Sequence, residues 1–142
     1  YKPSKGTLIL DEKKIRTGLL RIADQIVKTK ELDNLVFLGI EKEGKVIAKR
    51  LSLLIKEKKD VHIPVAGLDI NPYRDDRSII DDYEDSQTTI PFSVDNKIIM
   101  LIDDLISTGR TARSALDAII DKKIGRPKKI EFIVIINVEN LR

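Results

Sequence analysis

The run Ile98-Ile99-Met100-Leu101-Ile102 leads into two carboxylates, Asp103 and Asp104, and then into Leu105-Ile106-Ser107-Thr108-Gly109-Arg110-Thr111. An apolar run of strand length that ends abruptly in charge reads as a buried parallel strand. In an open α/β sheet the carboxyl end of such a strand faces a ligand crevice. A helix starting near Thr111 would aim the free backbone N–H groups of residues 108 to 111 into the preceding loop, where the helix dipole favours an anion. Strand, acidic pair, hydroxyl and glycine loop and helix, in that order, describe a place for a phosphorylated sugar.

The rest of the chain supplies the matching framework. Between Asp11 and Lys30 the residues Ile15, Leu19, Ile22, Ala23, Ile26 and Val27 recur at helical spacing. Leu35 to Leu38 reads as a short strand ending at Gly39, and the helix after it is predicted to carry Val46, Ile47, Leu51, Leu54 and Ile55 on one face. Val61 to Ile70 is the next strand candidate, with Pro64 arguing against a central place in a sheet. Asn71 to Thr89 has no sustained periodicity and holds a dense acidic cluster, which predicts a flexible loop or protruding hairpin of the kind that is often functional. After the motif strand come a helix with Ala112, Ala115, Leu116, Ile119 and Ile120, a break at Gly125 and Pro127, and a strand from Ile130 to Ile136. Alternating helix and strand predict an α/β fold, a doubly wound and mainly parallel sheet flanked by helices, in one domain spanning residues 1–142.

Composition narrows the classes of function. Aromatic residues make up 4% of the 142, without Trp, so a nucleic-acid surface built on base stacking has little to work with. Lys and Arg number 26 against 23 Asp and Glu, and a net charge of +3 does not by itself argue for a polyanion partner. The absence of Cys excludes disulfides and thiolate chemistry. No apolar run is long enough to span a bilayer, and the expected compartment is the cytoplasm.

Adjacent aspartates at a strand end point to opposite sides of the chain, so Asp103 and Asp104 do not form an ordinary chelating pair for one metal. They could instead flank a sugar, one accepting hydrogen bonds from vicinal ribose hydroxyls while the other orders the loop or reaches Mg²⁺ through water. Either Asp alone is as well explained by a strand turning polar where it leaves the core. The loop Ser107-Thr108-Gly109-Arg110-Thr111 shifts that balance, because Gly permits close backbone approach and the Thr hydroxyls can donate to phosphate oxygens. The glycine spacing and Lys of a Walker loop are missing.

These residues resemble the phosphoribosyl-pyrophosphate (PRPP) motif of type I phosphoribosyltransferases. Leu10-Asp11-Glu12 leading into Ile15-Arg16, Gly39-Ile40 to Gly44 followed by Ala48-Lys49-Arg50-Leu51, Asp69-Ile70-Asn71-Pro72-Tyr73-Arg74-Asp75-Asp76, and Gly125-Arg126-Pro127 extend the likeness along nearly the whole chain, to the PyrR family. That family combines regulation of pyrimidine operons through mRNA with uracil phosphoribosyltransferase activity. The resemblance implies that Ser107, Thr108, Gly109, Arg110 and Thr111 hold the 5′-phosphate and that Asp103 and Asp104 hold the ribose hydroxyls and, through water or substrate, Mg²⁺. It implies a pyrophosphate loop made of Gly39, Ile40, Glu41, Lys42, Glu43 and Gly44, with Arg74 nearby and residues 71–89 as a lid. The substrates implied are PRPP and a pyrimidine base or nucleotide, and the assembly a homodimer or homotetramer. Transfer of ribose 5-phosphate to a base nitrogen demands positioning, charge stabilisation and exclusion of water.

Three positions depart from the family. Its pyrophosphate loop carries a Lys-Thr-Arg type of sequence, and here Glu41-Lys42-Glu43 stands in that place. A carboxylate about 6 Å from one diphosphate charge, at an effective dielectric of about 20, costs about 3 kcal/mol. Ser107 replaces an aromatic residue, and the ending Asn137-Val138-Glu139-Asn140-Leu141-Arg142 replaces the Asp-Arg-Gly type segment of the base pocket, which predicts an absent or truncated C-terminal hood. These departures keep open two alternatives, a non-catalytic RNA regulator that binds PRPP or nucleotide, and a transferase for another base. The family's RNA-binding face includes the first helix, but here Arg16 and Arg21 are interrupted by Asp24, and this scatter, like Lys122, Lys123, Arg126, Lys128 and Lys129, reads as solvated surface. His62, without a partner in the pattern, reads as a strand-end residue.

Overall fold

The computed structural model describes residues 12–70, 90–103, 109–121 and 124–134. Helix α1 (Glu12–Thr29) is followed by a single 3-10 turn (Leu32–Asn34), strand β1 (Leu35–Ile40), helix α2 (Glu41–Lys59) and strand β2 (Val65–Leu68). Strand β3 (Ile98–Asp103), helix α3 (Gly109–Asp121) and strand β4 (Lys129–Val134) complete the described elements. All pairings are parallel and the sheet order is β2-β1-β3-β4. From β1 the chain moves outward to β2, and from β3 it moves outward the other way to β4. Between β1 and β3 the winding reverses, which is where doubly wound sheets bind ligands.

Side-chain alternation along the strands builds two cores. Leu35 and Phe37 of β1 with Met100 and Ile102 of β3 pack against Leu19, Ala23 and Ile26 of α1 and Ala48, Leu51 and Ile55 of α2. Val36, Leu38 and Ile40 with Ile99 and Leu101 face the other way, against Ala115, Ala118 and Ile119 of α3. Helices therefore cover both faces, as right-handed crossovers on either side of a reversal require. Every residue of β1 is buried, the pattern of a strand enclosed on both faces, and each large aliphatic side chain so enclosed contributes about 1.5 to 3 kcal/mol.

The predicted helix over residues 11–30 forms as α1, and the predicted inner faces of the other two helices need correction. Val46 is 57% exposed, while Gly44, Ala48, Leu51, Ser52, Leu54 and Ile55 turn inward on α2. Small residues at 44 and 48 let the helix approach the sheet, and that choice of face puts Val46 on the far side. Leu116 and Ile120 are likewise exposed, because Ser114, Ala115, Ala118 and Ile119 form the inner surface of α3. Strand β1 runs two residues beyond the predicted Leu38, and β2 is shorter than the predicted Val61 to Ile70. Pro64 stands just before β2, where its missing N–H costs no ladder bond and its carbonyl accepts from the Phe37 amide at 2.9 Å. β2 is correspondingly an edge of the described sheet. Ile63 is fully buried, and the Ile63 carbonyl accepts from the buried Ser52 hydroxyl at 2.8 Å, which satisfies the one polar side chain on the inner face of α2. The predicted loop 71–89, residues 135 and 136 of the predicted last strand, and the C-terminal positions compared with the family's hood lie outside the described residues.

α2 ends with Asp60 in the left-handed conformation (φ 56°), its amide donating to the Lys56 carbonyl at 2.7 Å. Ion pairs tie the outer surfaces together: Lys58 to Asp24 at 2.8 Å between α2 and α1, and Lys30 to Glu131 at 2.6 Å between the end of α1 and β4. Among the described residues no helix is long and apolar enough to cross a membrane.

Candidate active site

Two strand-to-helix junctions flank the reversal between β1 and β3. At the first, β1 passes into α2 without any intervening residue: Ile40 ends the strand and Glu41 begins the helix. The predicted glycine loop from Gly39 to Gly44 is thus the end of a strand and the first turn of a helix. Glycine makes this junction. A Cβ on Gly44 would lie 2.4 Å from the Ile102 carbonyl oxygen, and one on Gly39 would lie 2.3 Å from the Lys45 amide nitrogen and 2.4 Å from the Gly44 carbonyl. Both are distances that no real side chain adopts, so backbone packs directly on backbone here. The turn also bends through Glu41, which holds φ 62°, a conformation that L-residues other than Asn and Asp adopt rarely.

At the second junction β3 ends on Asp103, which is only 7% exposed. Continuing the alternation of Ile99 and Leu101, Asp103 falls on the α3 side of the sheet. Helix α3 begins at Gly109, two residues earlier than predicted, so Gly109, Arg110 and Thr111 form its first turn and the amides without intrahelical partners belong to residues 109–112. Asp104, Ser107, Thr108 and Arg74 lie outside the described residues.

The two junctions meet. Gly39 pairs with Ile102, the residue before Asp103, and the first turn of α2 lies against the Ile102 carbonyl through Gly44. The predicted ribose carboxylate Asp103 and the predicted pyrophosphate residues Gly39, Ile40, Glu41, Lys42, Glu43 and Gly44 therefore lie side by side at the carboxyl end of the sheet, where a doubly wound fold has its crevice. The first turn of α2 likewise has amides without intrahelical partners, the groups that helix N-termini offer to anions.

The acidic residues of that turn divide. Glu43 and Lys42 are exposed. The half-buried Glu41 carboxylate accepts a hydrogen bond from the Ile70 amide at 3.3 Å, just beyond the end of β2. Sequence patterning did not identify Ile70 as a partner, and nothing in residue type alone marks a backbone amide 29 positions away. Lys45 was also missed. Its aliphatic stem lies along β2, with Cδ 3.1 Å from where a Cβ of Gly67 would stand, and a basic residue one turn into a helix gives no sign of that in the sequence. His62 is exposed ahead of β2, as expected for a strand-end residue.

Charge away from the crevice is engaged in structure. Asp24, the residue that interrupts the basic surface of α1, has its carboxyl held below the usual value by the hydrogen bond from Lys58, with the charges of Lys58 and Lys28 adding to it. Arg50 pairs with Glu12. Of the second basic set, Lys129 pairs with Glu131 at 2.9 Å.

Comparison with known proteins gives the same result from three directions. Residues 6–141 match the phosphoribosyl transferase domain family. The chain is 46% identical over 131 residues to the bifunctional protein PyrR of Pelotomaculum thermopropionicum, covering 91% of this chain and 71% of that protein. It is 40% identical over 133 residues to the bifunctional protein PyrR of Limosilactobacillus reuteri, covering 91% and 74%. Among solved structures, a purine phosphoribosyltransferase from Pyrococcus horikoshii aligns with a TM-score of 0.63 at 20% identity, over 88% of this chain and 74% of the other. At that identity the likeness speaks for the fold.

Proposed function

Because the chain belongs to the phosphoribosyl transferase domain family, and within it to the PyrR proteins, we propose that it transfers ribose 5-phosphate from PRPP to uracil, giving UMP and pyrophosphate. The carrying observation is the convergence of Asp103 and the first turn of α2 on one crevice at the reversal of the sheet. In the reaction a ring nitrogen of the base bonds to C1 of the ribose, the bond from C1 to the diphosphate oxygen breaks, and the base loses the proton on that nitrogen. Positive charge develops on the ribose ring as the bond to diphosphate loosens. A buried carboxylate beside the ring stabilises that charge more strongly than one in water would.

Asp103 accepts hydrogen bonds from the ribose hydroxyls in this reading, and Asp104 shares that task. The first turn of α3, with Gly109, Arg110 and Thr111, takes the 5′-phosphate together with Ser107 and Thr108, and the first turn of α2 takes the diphosphate. Arg74 and the 71–89 segment complete the site. Among the described residues no group of three or more His, Asp or Glu side chains could hold a metal ion. In this reading Mg²⁺ is carried by the oxygens of PRPP, and Asp103 and Asp104 would help to hold it through water or substrate. Bound so, the cation would neutralise part of the leaving diphosphate charge.

UMP formation from uracil, PRPP and Mg²⁺ tests the reading, with a panel of other bases alongside. Turnover with uracil is expected, and no turnover with any base would overturn it. The family's regulatory role points to RNA as a second partner. It would draw on exposed Arg16, Arg21 and Lys49, since Arg50 and Lys58 already hold carboxylates. RNA retention that falls steeply with salt would support phosphate contacts, and a flat response would argue against them. We place the protein in the cytoplasm as a homo-oligomer, and a monomer mass by light scattering would contradict the assembly.

A further inference from the structure

We propose that Glu41 is a positioning residue for the diphosphate half of the substrate: its carboxylate staples the first turn of α2 to the end of β2 through the Ile70 amide and is thereby kept out of the anion's place. The proposal rests on the transferase reading for its substrate. Its geometry stands independently of that reading.

Four observations converge on it. Ile70 is fully buried and lies two residues past Leu68, the last partner in the pairing of β1 with β2. Its amide has run out of sheet partners, and a buried N–H left without an acceptor is costly. Glu41 supplies the acceptor at 3.3 Å. Second, Glu41 reaches that amide from a left-handed backbone (φ 62°), a conformation that persists only where the surroundings enforce it. Third, the backbone on either side of Glu41 is closely packed, with no room for a Cβ on Gly39 beside Lys45 or on Gly44 beside the Ile102 carbonyl. Fourth, the remaining charges of the turn, Lys42 and Glu43, are exposed and opposite in sign.

This explains how an acidic residue can stand where a diphosphate is to bind. A Glu projecting into the crevice would repel the anion and compete for the amides of the helix terminus. A Glu that holds the Ile70 amide does not compete for those amides, the partial positive charge of the Ile70 N–H offsets part of its repulsion, and the contact fixes the orientation of the first turn of α2 relative to Asp103. The same contact sets the position of the chain immediately before residue 71.

Glu41→Gln keeps an acceptor and loses the charge, whereas Glu41→Ala and Glu41→Gly lose both, the glycine variant also relieving the left-handed backbone. In the full chain, hydrogen exchange at the Ile70 amide is expected to accelerate at least about tenfold in the alanine and glycine variants and to stay within about threefold of wild type in the glutamine variant. With rates normalised to folded protein, KM for PRPP should rise about tenfold in the alanine variant while kcat changes less than about threefold, and glutamine should restore KM. A purely structural role would lower the folded fraction and leave KM alone. Calorimetry with magnesium pyrophosphate completes the set. Binding that tightens about tenfold or more in Glu41→Gln would show that the carboxylate faces the anion and would overturn the proposal, as would unchanged Ile70 exchange in the variants without an acceptor. Should the alanine variant fail to fold, the glutamine and glycine variants carry both measurements. A wild-type protein that binds magnesium pyrophosphate but forms no UMP refutes the transferase reading and leaves this one to its exchange and binding results. Failure to bind magnesium pyrophosphate at all refutes this one.

Discussion

The two junctions on either side of the sheet's reversal solve the same problem by opposite means. After β3, five residues separate the strand from α3, and the chemistry proposed there is carried by side-chain type: an acidic pair, hydroxyls and a glycine. After β1 nothing separates strand from helix, and the shape is carried by the absence of side chains at Gly39 and Gly44. One junction is written in functional groups and the other in steric room. Substitutions should therefore fail differently at the two, by loss of chemistry at the first and by loss of geometry at the second.

The largest effect is expected at the first. Asp103→Asn combined with Asp104→Asn should lower UMP formation by about a hundredfold to a thousandfold, the range seen when one group that stabilises transition-state charge is removed, with thermal stability little changed. A comparable loss of stability would break the contrast, because it would make Asp103 a packing residue. At the second junction Gly44→Ala should cost about 1 to 3 kcal/mol or more of stability, read from a urea midpoint, since its Cβ meets a backbone carbonyl at 2.4 Å that cannot move aside without shifting β3. Gly67→Ala on β2 is the control for that claim. Its nearest neighbours would be atoms of the flexible Lys45 side chain, Cδ at 3.1 Å and then Cγ and Cβ, and alanine gains in a strand what glycine loses in entropy. The net change should stay within about 1 kcal/mol. A Gly67 variant as damaged as the Gly44 variant would show that side chains pack this edge as rigidly as backbone packs the crevice.

The same contrast decides what could be read in advance. The alternation of helix and strand, the parallel sheet and the strand from Ile98 to Asp103 follow from periodicity and from charge at strand ends, and they stand in the structure. The site proposed at β3 could be read from the sequence because the chemistry proposed for it is a matter of residue type. The junction at β1 was legible only as two glycines at a suggestive spacing. That no loop exists between them, that Glu41 takes a left-handed backbone and that its partner is the amide of Ile70 all depend on the approach of α2 to the sheet. Exposed Val46 and Ile120 failed for a related reason. Periodicity gives a helix its stripe, but small residues such as Gly44, Ala48, Ser114 and Ala118 decide which side comes close.

Glu131 offers the smallest test and a reference point that belongs to neither junction. It sits in mid-strand on β4, paired across from Met100, with hydrogen bonds from Lys30 at the end of α1 and from Lys129. The Lys30 bond first, then the Lys129 bond, hold its carboxyl below the usual 4.5, against an opposing push from burial. A carboxyl whose folded pKa is depressed binds its proton more readily in the unfolded chain. Its contribution is therefore complete above the ordinary glutamate value and disappears as pH falls through the lower folded value. With side chains 22% exposed on both partners, the contribution should be about 1 kcal/mol. Glu131→Gln should shift the urea midpoint downward at about pH 7 and leave it equal to wild type at a pH below the lowered folded value, where both carry an uncharged group. KM for PRPP should not move at either pH. A Glu131 variant that altered KM would mean that the α1 end of the molecule is coupled to the crevice, and the two junctions would then no longer account for the site between them.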